Sequence, residues 1–87
     1  MNLVNTMERA VVAQLEDVKD RFANACWCER CRNDVLALAL NSLPPVYVVS
    51  EEGKIYASTA ALRQQYRADI TVALIQAISK VQAHPRH

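Results

Sequence analysis

The stretch CWCERCRNDVLALALNSLPP, Cys26 to Pro45, decides how the rest of this 87-residue chain must be arranged. It opens on three closely spaced cysteines, Cys26, Cys28 and Cys31, runs into the apolar segment Asp34 to Leu43, and stops at Pro44-Pro45. Proline lacks the amide hydrogen a helix needs and pushes the residue before it out of helical angles. A helix beginning near Cys28 or Glu29 therefore ends between Asn41 and Leu43. Val35, Leu36, Leu38, Ala39 and Leu40 cover most of its circumference, which makes it the central helix. Asp34 and Asn41, seven residues apart, share one face and interrupt that apolar surface. If buried, both must be paired: Asp34 by an arginine such as Arg67 or by capping the turn near the cysteines, Asn41 by carbonyls at the helix end or by the edge of a bound base.

Before the cysteines, Val4, Met7, Val11, Leu15, Val18 and Phe22 recur at steps of three and four, the stripe of an amphipathic helix running to about residue 23. Asn5, Glu8, Gln14, Glu16, Lys19 and Arg21 are expected on its other faces. After the prolines, Val46-Tyr47-Val48-Val49 suits a short extended segment. Glu51-Glu52-Gly53 then supplies a turn into Lys54-Ile55-Tyr56, together a small hairpin. Ser58 or Thr59 can cap a third helix from Ala60 to about Tyr66, and Ile70, Leu74, Ala77, Ile78 and Val81 mark a fourth that stops before Pro85. The third and fourth can be continuous. The expected fold is mainly α: a compact four-helix domain with a short extended or hairpin segment after Pro45, with residues 1–87 as its single domain.

A chain this short buries little more than half its unfolded surface, so a metal, a disulfide or a partner subunit commonly completes such a fold. The composition, 52% hydrophobic with one Gly and three Pro, is that of a folded helical protein. A formal charge of +1 provides no field for DNA or an anionic membrane, so neither nucleic acid nor membrane is expected as a partner. Glu8, Glu16 and Asp17 interrupt the first apolar stretch, unlike a signal peptide, and no apolar run reaches the length of a membrane span. A cytosolic location is expected, where neighbouring thiols more often bind metal than pair as disulfides.

The cluster has the form C-x-C-x2-C, and a helix beginning at its second cysteine would aim sulfurs at one ion while its free amides ease their deprotonation. Structural zinc takes four protein ligands. His84 and His87, the only imidazoles, are candidates for the fourth. The residues taken alone leave two readings open, a metal site and a set of small core cysteines beside solvated terminal histidines. A catalytic thiol fits less well, because three adjacent sulfurs favour chelation over one activated nucleophile with its own base. The lone glycine, Gly53, excludes a glycine-rich phosphate loop.

The segment CWCERCRNDVLALALNSLPPVYVVSEEG resembles the signature of the ComFB family, a group of small bacterial proteins named after a late competence operon component. The matching features are the cysteine cluster, the N-D-V-x-A-L-A-L-N run, the L-P-P-x-Y turn and the glycine after it. Gln65, Asp69-Ile70 and Pro85-Arg86 also fit the layout. The resemblance implies a homodimer without enzymatic activity, with structural zinc held by Cys26, Cys28 and Cys31 and by His87 or His84 in place of a fourth cysteine. It also implies a signalling role in competence, pili or motility through an effector protein. Some members of the family are described as cyclic dinucleotide receptors, which makes cyclic di-GMP or cyclic di-AMP the expected ligand. Such a ligand needs cations for its phosphates, flat groups for its purines and amides for base edges. Arg32, Asn41, Tyr47, Gln65 and Arg67 are the chosen candidates, with Arg30, Arg63, Lys54, Tyr56 and Gln64 as further ones. A two-fold ligand would match the axis of a homodimer. A ligand-independent protein interaction module is the alternative.

Overall fold

Asn5 fixes where the first helix starts. Its side-chain oxygen accepts the amide hydrogen of Met7 at 3.2 Å, the N-cap arrangement that polar short side chains favour. The same oxygen accepts the amide hydrogen of Val46 at 2.9 Å, and Val46 returns its carbonyl to the amide of Thr6 at 2.6 Å. One side chain thereby joins the start of a helix to the segment after the prolines, 41 residues away.

The computed structural model describes residues 2–50 and 52–85. Strand β1 (Asn2–Asn5) leads into helix α1 (Thr6–Val18) and a tight 3-10 turn (Lys19–Phe22); α2 (Glu29–Asn41), strand β2 (Tyr47–Ser50), α3 (Glu52–Gln65) and α4 (Arg67–Ala83) follow. β1 and β2 pair antiparallel, with Leu3 opposite Val49 and Asn5 opposite Tyr47. α2 lies along α4, and α1 packs on α3 and α4. Met7, Val11 and Leu15 of α1 meet Cys31, Val35 and Ala39 of α2 and Ile70, Leu74 and Ile78 of α4 in one core. No helix among the described residues is long and apolar enough to cross a membrane.

Four helices form and α2 has the expected bounds, but α1 gives way at Lys19 to the 3-10 turn where helix was expected to about residue 23, and α3 starts at Glu52, well before the expected Ala60. Its apolar surface is less enclosed than its composition suggests: Cys31, Val35, Leu36 and Ala39 are buried, while Leu38 is 40% exposed. The hairpin after Pro45 does not form. β2 finds its partner in Asn2–Asn5, which pairs the backbone groups on one of its edges, and the segment expected as a return strand, Lys54 to Tyr56, lies inside α3. Helical chain that begins at Glu52 takes Ser58 and Thr59 into its interior, so neither is a cap. α1 likewise begins at Thr6 and not at Val4, because the Asn5 cap outcompetes the apolar period. α3 and α4 are separate helices, divided at Tyr66.

Replacing Asn5 with Ala removes an acceptor shared by two backbone amides, and should cost about 1–2 kcal/mol of stability in urea unfolding. Asn5→Asp keeps the acceptor and should recover most of it. A change in the alanine variant smaller than about 0.5 kcal/mol would rule out the clamp as a determinant of the fold.

Candidate metal centre

The loop ahead of α2 is held by one carbonyl. Phe22 O accepts the amide hydrogen of Ala25 at 2.9 Å and the indole N–H of Trp27 at 3.0 Å, which fixes the half-buried ring between the two outer cysteines. The chain then enters α2 through Cys28, whose extended backbone (φ −62°, ψ 163°) and side chain make it the N-cap. Its sulfur accepts the amide hydrogen of Cys31 at 3.4 Å, and its carbonyl takes the first helical bond, from Arg32 at 2.9 Å. Cysteine here fills the position that Ser or Asp usually occupies.

This cap folds the Cys28 sulfur over the turn that carries Cys31. The sulfurs of Cys26, Cys28 and Cys31 all lie within 4.8 Å of one another. A tetrahedral ion with bonds of about 2.3 Å would set its sulfurs about 3.8 Å apart, so small side-chain adjustments bring all three onto one ion. Cys26 and Cys28 are exposed and Cys31 is buried, a shallow site open on one side. No disulfide joins them.

The two helical cysteines differ electrostatically. The amide of Cys31, then the Cys26 thiol, hold the Cys28 thiol below its ordinary value. Burial, then hydrogen bonding and charge from Cys26 and Cys28, push the Cys31 thiol from 9.0 up to about 12. A cation at the centre reverses that cost by supplying the opposite charge, so ion binding must release the Cys31 proton. The three cysteines could hold a metal ion, and their donor set is compatible with zinc.

Among the described residues, no other His, Cys, Asp or Glu joins this group. His84 caps the end of α4, donating its amide hydrogen to Lys80 O at 3.3 Å, and its exposed side chain is not part of the cluster. His87 and Arg86 lie outside the described residues, as does Glu51 of the expected turn. The side chains of Lys54 and Tyr56 are likewise outside the description.

The five residues chosen for a dinucleotide are spread over the surface. Arg32 sits on the first turn of α2 with its guanidinium 3.9 Å from Glu16, a carboxyl that Lys19 at 2.7 Å, and secondarily Arg32, hold below its ordinary range. Asn41 is exposed at the end of α2, in a groove of about 340 Å³ with Asn5, Leu43, Pro44 and Pro45. Tyr47 is 60% exposed on β2. Gln65 and Arg67 are exposed at the α3–α4 junction, and Arg67 lines a second groove of about 380 Å³ with Gln14, Asp17, Ala60, Arg63 and Gln64. Asn41 and Arg67 thus lie in separate grooves. Asp34 is half-buried and has an interaction partner.

Gln14 corrects the sequence expectation. It is only 5% exposed, on the inner side of α1, where its amide donates to Thr71 Oγ1 at 3.0 Å. Its oxygen accepts from Arg63 Nη2 at 3.1 Å and Nε at 3.3 Å, and the same guanidinium reaches Asp17 at 2.8 Å. Arg63 is therefore preset across α1 and α3. The signal lay in the sequence: Gln14 falls three residues after Val11 and next to Leu15, inside the apolar stripe.

Four helices, a two-stranded ribbon and a cluster of three sulfurs that could hold a metal ion define a small helical module. The family model for "Late competence development protein ComFB" matches residues 4–85. The chain is 32% identical over 83 residues to the competence protein ComFB of Bacillus subtilis (strain 168), covering 95% of this chain and 85% of that protein. The solved structure of the late competence protein ComFB from Bacillus subtilis superimposes with a TM-score of 0.84 at 35% identity, over 97% of this chain and 94% of that one. The chain belongs to the ComFB family.

Burial favours the neutral thiol of Cys31, so this preference stabilises the metal-free fold fully below pH 9.0 and is lost as pH rises towards about 12. Denaturation at stepped alkaline pH should show that loss in the metal-free protein and a flatter profile in Cys31→Ala. Equal slopes in the two proteins would show that Cys31 is not its source.

Proposed function

We propose that this protein is a non-enzymatic cytosolic signalling module, a homodimer with structural zinc at Cys26, Cys28 and Cys31, that binds a cyclic dinucleotide and conveys its presence to an effector protein in competence, pilus or motility control. The competence role follows the name of its Bacillus relative. His87 is the proposed fourth zinc ligand. Zinc bound there supplies folding free energy by tying the loop after Phe22 to the first turn of α2.

The observation that carries the ligand reading is the polar groove between α1, α3 and α4. Arg63, Arg67 and Gln64 converge there, two guanidinium groups for phosphate and one amide for a base edge, with the buried Gln14 beneath them holding Arg63 in place. Arg63 is already oriented by Gln14 and Asp17, so binding would not have to order it. At about 380 Å³ the groove suits one half of a two-fold ligand, with the other half on the second subunit. Arg32, Asn41, Tyr47 and Gln65 are the remaining contact candidates.

Isothermal titration with cyclic di-GMP and cyclic di-AMP tests the receptor reading, and Arg67→Ala should weaken binding about tenfold or more through loss of a charge-assisted contact. Absence of heat with both ligands at high micromolar concentration would remove the claim. Native mass spectrometry of the same sample should show one zinc per chain and a dimer.

A second reading, a ligand-independent interaction module, is favoured by the two-stranded ribbon. Leu3, Tyr47 and Val49 are 71%, 60% and 65% exposed on one of its faces, and an apolar groove of about 650 Å³ continues beside it along α1 through Val4 and Val12. Effector capture that is the same with and without dinucleotide would select this reading.

A further inference from the structure

We infer that Cys28 and Cys31 form a reversible disulfide through exchange at Cys28, so that the sulfur cluster is a thiol-modification site that either holds a metal or closes on itself. The release of metal rests on the zinc reading given above; the disulfide does not.

The geometry assigns the two sulfurs different parts. Cys28 is exposed at the N-cap of α2, open to a small oxidised thiol compound. Cys31 is 1% exposed, which shields it from a bulky disulfide in solution. The hydrogen bond from the Cys31 amide to the Cys28 sulfur, at 3.4 Å, nevertheless holds the outer sulfur against the turn that carries the inner one. With the sulfurs within 4.8 Å of each other, a bond of about 2.05 Å needs an approach of less than about 3 Å. The backbone around them is already fixed, by Phe22 O on one side and by the first helical bond from Arg32 to Cys28 on the other. Cys26 is also exposed and its sulfur is hydrogen-bonded with both others, but it lies ahead of the helix, and the sulfur that accepts the Cys31 amide, and so is registered on that turn by the backbone, is that of Cys28.

The reaction is thiol–disulfide exchange with a low-molecular-weight disulfide such as oxidised glutathione. The Cys28 sulfur, as thiolate, attacks one sulfur of the small disulfide, forming a mixed disulfide and expelling the first small thiolate. The Cys31 thiol attacks the Cys28 sulfur of the mixed disulfide, expelling the second small thiolate, which takes up the Cys31 proton as it leaves. The first small thiolate takes from solution the proton that Cys28 had lost. The protein dithiol is oxidised by two electrons and the small disulfide is reduced to two thiols. Were zinc held by the three cysteines, this disulfide would take two of its sulfur ligands and leave only Cys26 and the proposed histidine, too few to retain it.

Tryptic peptides and single-cysteine variants together assign the product. Trypsin cleaves after Arg21, Arg30 and Arg32, so Cys26 and Cys28 share the peptide FANACWCER while Cys31 is carried on the dipeptide CR. A disulfide from Cys31 to either Cys28 or Cys26 joins these two peptides, and a Cys26–Cys28 disulfide stays within one; the Cys26→Ser and Cys28→Ser variants tell the first two apart. The full-length protein, zinc-loaded and chelator-stripped, is incubated with oxidised glutathione and followed by intact mass, peptide mapping and a zinc-sensitive dye. The expected result is loss of two hydrogens, the joined peptides, one zinc freed per disulfide, and reversal by dithiothreitol with added zinc. Cys26→Ser should keep the joined product and Cys28→Ser should abolish it. A bond within FANACWCER, a lasting glutathione adduct, or unchanged thiols in both forms overturns the inference, and a disulfide confined to stripped protein overturns the release of metal. If the isolated protein carries no zinc yet yields the joined peptides, only the zinc reading fails.

Discussion

The carboxamide oxygen of Asn5 accepts two backbone amide hydrogens from opposite sides of the domain, Met7 on the helix it begins and Val46 just beyond the diproline. The remaining architecture follows from that double acceptance. It ends the strand Asn2–Asn5 and starts α1 at one atom, so the stripe of Met7, Val11 and Leu15 points inward from its first turn. It also sets the register in which Tyr47 faces Asn5, and through the ribbon it fixes how the chain returns from α2. A helix of this length is marginal alone and relies on packing of its apolar side. The clamp decides which side that is.

α2 is then enclosed from both directions. Its N-terminus is pinned by the sulfur of Cys28 and its C-terminus by the prolines, while Cys31, Val35 and Ala39 pack against α4 and α1. The cysteines serve the fold and the candidate centre at once. Cys28 caps the helix, Cys31 fills the core, and the same two positions bring their sulfurs together with Cys26. A single substitution at either residue would therefore alter both the fold and the capacity of the cluster to hold an ion, two effects that stability measured with and without added metal separates.

The four helices were legible because periodicity and proline are strong signals over a dozen or more residues. α2 could be bounded at both ends from Cys28 and the diproline alone. The strand partner could not. Asn2–Asn5 is too short to show an alternation, and its third residue, Val4, continues the helical stripe by coincidence. Lys54-Ile55-Tyr56 misled for the converse reason: three residues of suitable type suggest a strand, but with β2 already paired to β1 nothing required a second partner. At the candidate centre, the spacing of Cys26, Cys28 and Cys31 sufficed to group the sulfurs. Arg63 and Gln14 were harder. The contact that orders them spans 49 residues, and only the position of Gln14 within an apolar stripe hinted that it had a partner.

Trp27, the one tryptophan of the chain, has its indole N–H held by Phe22 O and stands between two exposed cysteines on the loop that enters α2. The molecule thus carries an intrinsic optical probe at the place where its chemistry is concentrated. Indole emission depends on water access and on quenching by nearby sulfur, so the wavelength and intensity of this single fluorophore follow the loop without any label. The rest of the protein contributes no competing indole, and a change in emission can be ascribed to that loop alone.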